Sequence, residues 1–211
     1  MRHLPLKLHL PSADDEDRGS RIHVSTCIGH LLNKLNPGKF NKPIDADARI
    51  KFEFGFAWEE AVVSRAFWKR ILKLSYPDMV FQQMRTELDG LRGTPDIIIQ
   101  DYMIEGLGPD WIVECKWTEK SAAYGILDSR FWHWQVQMKA YCHMWDWKHA
   151  LLLVCFRNGD YRPKKFLLQG WLFEFTDEEL KTNWEMLLGA RDEILAERTP
   201  KKKKGPHVKG R

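Results

Sequence analysis

Apolar positions along the chain change their period twice, from 3.6 to 2 and back, and these changes divide it into elements. From Ser25 as N-cap, Ile28, Leu31, Leu32 and Leu35 fall at helical spacing until Asn36, Pro37 and Gly38 stop them. A polar loop to about Asp45 leads into residues 48–74, one long helix or two. There Phe56, Val62, Val63, Phe67, Ile71 and Leu74 make a wide apolar stripe, which Pro77 ends. Residues 80–88 alternate loosely, Asp89-Gly90 is turn chemistry, and residues 94–100 hold the unbroken run Ile97, Ile98, Ile99. After a loop over 106–110, residues 111–117 predict a third strand. Residues 128–147 return to helical spacing, with Phe131, Trp134, Met138, Cys142 and Trp145 as the buried stripe. Two more strands, over 150–156 and 165–175, precede a helix that opens with the capping-box residues Thr176 and Glu179. This order predicts an α/β fold, a sheet covered by helices on its faces.

Composition narrows the class. The chain has 211 residues, 44% hydrophobic and 29% charged, which suits one domain with its own core and excludes a long disordered polymer. Such a domain needs no metal or disulfide to stay folded, so any metal would serve chemistry. The longest apolar stretch, 150–156, is far short of the ~20 residues that cross a bilayer, and the first residues lack a continuous apolar run. A soluble, unexported protein with no membrane partner is expected. Cys27, Cys115, Cys142 and Cys155 are irregularly spaced, without a Cys-x-x-Cys pair, and predict reduced, buried thiols. His23 and His30 flank Cys27 with no fourth ligand beside them and read as structural.

The net charge of +4 is concentrated at one end. Lys201 to Lys204, Lys209 and Arg211 are all cationic, and no acid follows Glu197. Residues 199–211 therefore predict a basic, mobile tail, which either contacts nucleic acid by releasing counterions or only solubilises the chain. Residues 1–20, with Pro11 and an acidic run over 14–17, predict a flexible arm, which leaves 21–198 as the folded domain.

One strand carries unexpected charge. Over 111–117 side chains alternate, so Glu114 and Lys116 share one face while Val113, Cys115 and Trp117 take the other. Burying ionised groups costs several kcal/mol each unless they are paired or metal-bound, and a same-face ion pair is the plain structural reading. Asp96, after Pro95, opens the preceding strand beside three isoleucines and has no surface reason to be charged. A hairpin between the two strands brings Asp96 and Glu114 together, and two carboxylates ~4 Å apart repel by about 4 kcal/mol at an effective dielectric of 20. A divalent cation removes that penalty, and hard oxygen ligands suit Mg²⁺, with Mn²⁺ as a substitute.

Gly93-Thr-Pro-Asp96 followed by Glu114-Cys-Lys116 resembles the Pro-Asp…(Asp/Glu)-x-Lys signature of a nuclease superfamily. Upstream, Gly55-Phe-Ala-Trp-Glu59 looks like its Gly-x-x-x-(His/Glu) helix element. Downstream, Gln137-Met-Lys-Ala-Tyr141 looks like the Gln-x-x-x-Tyr element of the RecB-like and YqaJ-like branches. On these motifs the chain is similar to the PD-(D/E)xK metal-dependent nucleases, in their RecB-like/YqaJ-like, phage-type exonuclease branch.

The resemblance implies a restriction-endonuclease-like core with a central mixed β-sheet flanked by helices. It also implies a Mg²⁺-dependent deoxyribonuclease, an exonuclease in recombination, repair or phage DNA metabolism. A restriction-type or structure-specific endonuclease, and an inactive nucleic-acid-binding module of the same fold, are the alternatives. Asp96, Glu114 and the backbone carbonyl of Cys115 would hold the metal, with Glu59 completing the shell or helping with a second ion. Glu60, about 100° around the same helix, is the alternative to Glu59. Lys116 would orient the attacking water and stabilise phosphate charge, with or without acting as base. Gln137 would hold Lys116 or the phosphate, and Tyr141 would line the DNA path, with His133 one turn before Gln137; a polar edge on a core helix is the plainer reading.

The tryptophans of this helix, Trp132, Trp134, Trp145 and Trp147, either stack on unpaired bases or fill a core. No cysteine trio follows Tyr141, so no iron-sulfur cluster is expected, and no Walker loop announces a built-in motor. Beyond DNA, the implied partners are a recombinase or a single-strand-binding protein in the cytoplasm of a bacterial or phage-infected host cell. No motif marks an oligomeric interface.

Overall fold

A computed structural model of the chain describes residues 22–37, 45–73, 75, 77–78, 80–158 and 166–198. The expected arm over 1–20 and the expected tail over 199–211 lie outside the described residues, as does Leu74 of the predicted stripe.

The organising element is β6, Trp111–Thr118, whose apolar and β-branched run is buried on both faces of a sheet. It pairs antiparallel with β5, Ile97–Ile99, and parallel with β7, His149–Phe156. Outward of these lie β2, Val80–Gln82, and β8, Leu167–Glu174, both antiparallel to their neighbours, for the order β2-β5-β6-β7-β8. The parallel step from β6 to β7 needs a crossover, which α4, Trp132–Trp145, supplies. A small second sheet joins β1, Ile22–His23, to β4, Leu91–Gly93, in parallel and β4 to β3, Thr86–Leu88, antiparallel.

Two cores flank the main sheet. On one face α1, Val24–Leu35, α4 and α5, Asp177–Arg198, pack against Ile98, Ile112, Leu152 and Val154. On the other, α2, Ala46–Val62, and α3, Arg65–Phe67 running into a π turn over Trp68–Leu72, bring Val62, Phe67 and Trp68 onto Ile97, Ile99, Val113 and Cys115. Mixed sheets flanked by helices are the restriction-endonuclease-like arrangement expected. The capping box of α5 is formed in both directions, Glu179 N–H to Thr176 Oγ1 at 3.2 Å and Thr176 N–H to Glu179 Oε2 at 3.0 Å.

Several expectations need correction. α1 begins at Val24, not after a Ser25 cap: His23 precedes it with no capping side chain, because the chain enters the helix directly from β1. For the stretch from 48 the two-helix reading holds: it is divided at Val63 and Ser64, where Ser64 Oγ accepts from Phe67 N–H and starts a new turn. Its stripe is only partly inward: Val62 and Phe67 are buried, but Phe56 is 62% and Ile71 61% exposed. Residues 80–88 form two strands in different sheets, parted at Gln83, whose φ of 49° turns the chain. Asp89 and Gly90, both at positive φ, make a tight turn from β3 to β4, a strand the pattern did not reveal because Leu91-Arg92-Gly93 is too short to alternate. On α4, Phe131, Trp134, Met138 and Cys142 are buried as predicted, while Trp145 is only partly so and tilts against Trp147. Filling the core, not presenting free ring faces, is what Trp134 does.

Candidate active site

The site begins where β5 ends. The register pairs Ile97 with Val113, and its continuation puts Pro95 opposite Cys115. Proline has no N–H to give to the Cys115 carbonyl, so the ladder stops there. The Cys115 N–H is taken by a side chain instead: Asp96 Oδ2 accepts it at 2.7 Å. The N–H and C=O of a strand residue point to the same edge, so the Cys115 carbonyl faces this opening too.

Beside it, Glu114 is 0% exposed and Lys116 mostly covered, on the face shared with Ile112. Lys116 Nζ donates to Glu114 Oε2 at 2.7 Å, the expected same-face pair. The other carboxylate oxygen, Oε1, is buried with no hydrogen-bond partner. Glu59 reaches the same place from α2, half-buried, whereas Glu60 is exposed.

The electrostatics link these groups. Burial, then the charge of Asp96, pushes the Glu114 carboxyl up to about 8 against the pull of Lys116. The same two causes push Glu59 up to about 7, again opposed by Lys116. Burial likewise raises Asp96, while Lys116 and the Cys115 N–H bring it down. Burial alone would lower Lys116, but Glu114 and Asp96 outweigh it and hold the ammonium firmly protonated. Three acids thus strain against one another around a single cation.

Helix α4 supplies the opposite wall. Tyr141 is buried, and its hydroxyl accepts from Gln137 Nε2 at 3.0 Å, as the four-residue spacing predicts. Burial and then Glu114 push the Tyr141 phenol up, so it stays neutral. A Cβ on Gly93 would come within 2.8 Å of both the Tyr141 ring and Met144 Sδ, which explains a glycine there. His133, half-buried and within the field of Lys120 and Lys116, is pushed down to about 4, first by burial and then by those charges, and is neutral at physiological pH.

The donor set fits a hard divalent cation. Carboxylates from two strands and a helix, a strand carbonyl facing the same edge, and an unpartnered buried oxygen on Glu114 are what such an ion would satisfy. Among the described residues, no group of three or more His, Cys, Asp and Glu side chains is placed so that it could hold a metal ion as it stands. Lys116 takes one oxygen of Glu114 and the Cys115 amide one of Asp96.

Glu59, Asp96, Glu114, Cys115, Lys116 and Tyr141 thus fall within one another's electrostatic reach, and Gln137 joins them through Tyr141. Two neighbours escaped the pattern. Lys120 acts on His133 from the turn after β6, and Gln83, whose N–H donates to the Asp96 carbonyl, lines a cavity of about 500 Å³ with Phe56, Glu59, Glu60 and Val63. Neither sits in a periodic element, so no sequence signal marks them.

No protein-family model matches the chain, and no curated protein matches it in sequence. Solved structures do resemble it. An alkaline exonuclease from Laribacter hongkongensis superposes with a TM-score of 0.50 at 9% identity, over 84% of this chain and 89% of that one. A protein named SSO0001 gives 0.47 at 13% identity over 91% and 82%, and a phage-related exonuclease from Haemophilus somnus 129PT gives 0.39 at 11% over 85% and 96%. The first of these shows that the fold is that of a known nuclease. Among the described residues, no helix is long and apolar enough to cross a membrane.

Proposed function

We propose that this chain is a divalent-metal-dependent deoxyribonuclease that hydrolyses phosphodiester bonds from DNA ends, with residues 21–198 as the catalytic unit. The observation that carries this reading is the meeting of Asp96, Glu114 and Lys116 at the open end of β5, with one oxygen of Glu114 buried and unpartnered. The fold shared with an alkaline exonuclease supports it.

Asp96, Glu114 and the Cys115 carbonyl would hold Mg²⁺ or Mn²⁺, and Glu59 would complete the shell or help hold a second ion. Glu59 is preferred to Glu60 because it is half-buried and within the field of Asp96 and Lys116. When bound, the ion neutralises the acids and stabilises charge gathering on the phosphate. Glu114 and Asp96 hold the Lys116 ammonium protonated, so its role is to donate: it orients the attacking water and steadies the pentavalent phosphate. Tyr141 and Gln137 form a neutral, hydrogen-bonded wall that keeps the Lys116 side of the site dry and fixed.

A role in recombination, repair or phage DNA metabolism, in the cytoplasm of a bacterial or phage-infected cell, fits such an activity. The test is incubation with end-labelled linear duplex, single strand and closed circle, with Mg²⁺, Mn²⁺ or chelator. Metal-dependent loss of linear DNA with the circle intact is expected. Cleavage of the circle would make it an endonuclease, and metal-independent or absent cleavage would overturn the reading.

A further inference from the structure

Helix α2 presents Phe52, Phe54 and Phe56 outward, while its fourth aromatic, Trp58, packs edge-on to Phe67. Phe52 is 53% and Phe56 62% exposed, on a helix whose neighbour Phe54 is stacked on Trp117 with ring centroids 5.6 Å apart. Phe52 and Phe56 have no ring partner among the described residues. Leaving such side chains in water forfeits stabilisation that burial would bring, so paired exposed phenylalanines mark a surface with an occupant.

The position of this face says what the occupant is. At 100° per residue, Phe52, Phe56, Glu59 and Val63 fall within a narrow arc of α2, and exposed Arg49 lies beside them one turn before Phe52. Phe56 and Glu59 line the same cavity of about 500 Å³. Residues three or four apart on a helix stand ~5–6 Å from each other, a spacing of the order of one nucleotide. A strand whose scissile phosphate lies at Glu59 and Asp96 and which runs along α2 would place its adjoining bases on Phe56 and then Phe52, with Arg49 beside its backbone. Every base has a π face and stacks on an aromatic ring whatever its identity, but only when it is not paired within a duplex.

Resting on the nuclease reading, we propose that Phe56 and Phe52 stack the unpaired bases next to the scissile phosphate, so that the substrate is a single strand or a frayed end, held without sequence preference. α2 then carries both a metal ligand and a base platform, and one helix sets the register between base and phosphate.

The experiment compares binding of a fluorescent single-stranded oligonucleotide, and of one with abasic sites at the residues next to its end, in Ca²⁺ to suppress turnover. Phe56→Ala and Phe52→Ala, both at exposed positions, are first shown by thermal melting to fold as the parent does. The expected result is at least a roughly 10-fold weaker binding of the intact strand by Phe56→Ala, matching the loss that the abasic strand shows with the parent. The two losses should not add, Phe56→Trp should restore binding, and Phe56→Leu should not. Equal binding of intact and abasic strands by the parent overturns the proposal. So does a parent that self-associates through this face, seen as dimers lost in Phe52→Ala. Cleavage in Mg²⁺ is followed in parallel: a parent that cuts DNA but ignores base loss refutes the stacking alone, whereas a parent that neither binds nor cuts DNA refutes the nuclease reading.

Discussion

The carboxylate of Asp96 accepts a hydrogen bond from the backbone amide of Cys115 at 2.7 Å, directly after the proline that ends the β5 ladder. Pro95 ends the β5 ladder one residue early, and the side chain that follows takes the place of the missing strand. The acid is thereby locked beside Glu114 by backbone geometry, within the field of Lys116. Four predictions follow from this arrangement and its surroundings.

Removing the ammonium should stop the chemistry. Lys116→Ala is expected to lower the cleavage rate by about 10²–10³-fold, the usual effect of losing one donor to transition-state charge. It also leaves Glu114 buried without its partner, in a pair whose disruption typically costs ~3–5 kcal/mol, yet burial lets that acid take up a proton and escape most of the penalty. Single-turnover rates on labelled DNA, alongside thermal melts at pH 6 and pH 8, separate the two effects. Parent-like cleavage by a clean preparation would remove Lys116 from the mechanism.

The metal-free protein should become less stable as pH rises. Glu59 and Glu114 bind protons more tightly when folded, with carboxyls at about 7 and about 8 against an ordinary 4.5. The folded state therefore holds more protons than the unfolded state between those limits, and stability falls across that window. Melting temperatures from pH 5 to pH 8 in chelator should decline, and Glu59→Gln should flatten the slope between pH 5 and pH 7. Added Mg²⁺ should reverse the loss at pH 8, because an ion that binds ionised acids favours the folded state. A flat parent profile would contradict the coupling between these acids.

A methyl group at Gly93 should disturb the wall of the site without touching its charges. Its Cβ would lie 2.8 Å from the stiff ring of Tyr141, which cannot move aside as a flexible chain end does. Gly93→Ala is expected to cost roughly 1–3 kcal/mol by denaturant melting, the range for overpacking, and to slow cleavage as Tyr141 and Gln137 shift. Unaltered stability would show that α4 yields easily at this point.

Deleting residues 201–211 should leave the chemical step alone while weakening the grip on DNA. If the lysine run neutralises phosphates, the dependence of log affinity on log salt falls by about 0.9 for each lost contact on duplex DNA. Binding isotherms between low and moderate salt measure this directly, and an unchanged slope would show the tail to be idle.

Much of this protein was legible from residue order alone. Strand β6 was predictable because alternation is a local property, and it put Glu114 and Lys116 on one face before any neighbour was known. The Gln137–Tyr141 contact followed in the same way from helical spacing. The capping box of α5 needed only four consecutive residues. Folding decided what such rules do not contain. Whether Phe56 faces a core or open space depends on what packs against α2, and periodicity, which finds an apolar face, is blind to whether anything covers it. That Glu59 and not Glu60 enters the field of Asp96 is a matter of how the helix is rotated on the sheet. Gln83 comes to the site by closure of the chain onto Asp96, which leaves no periodic trace. Short-range order is written in the spacing of residues, whereas burial and charge coupling exist only once distant segments meet.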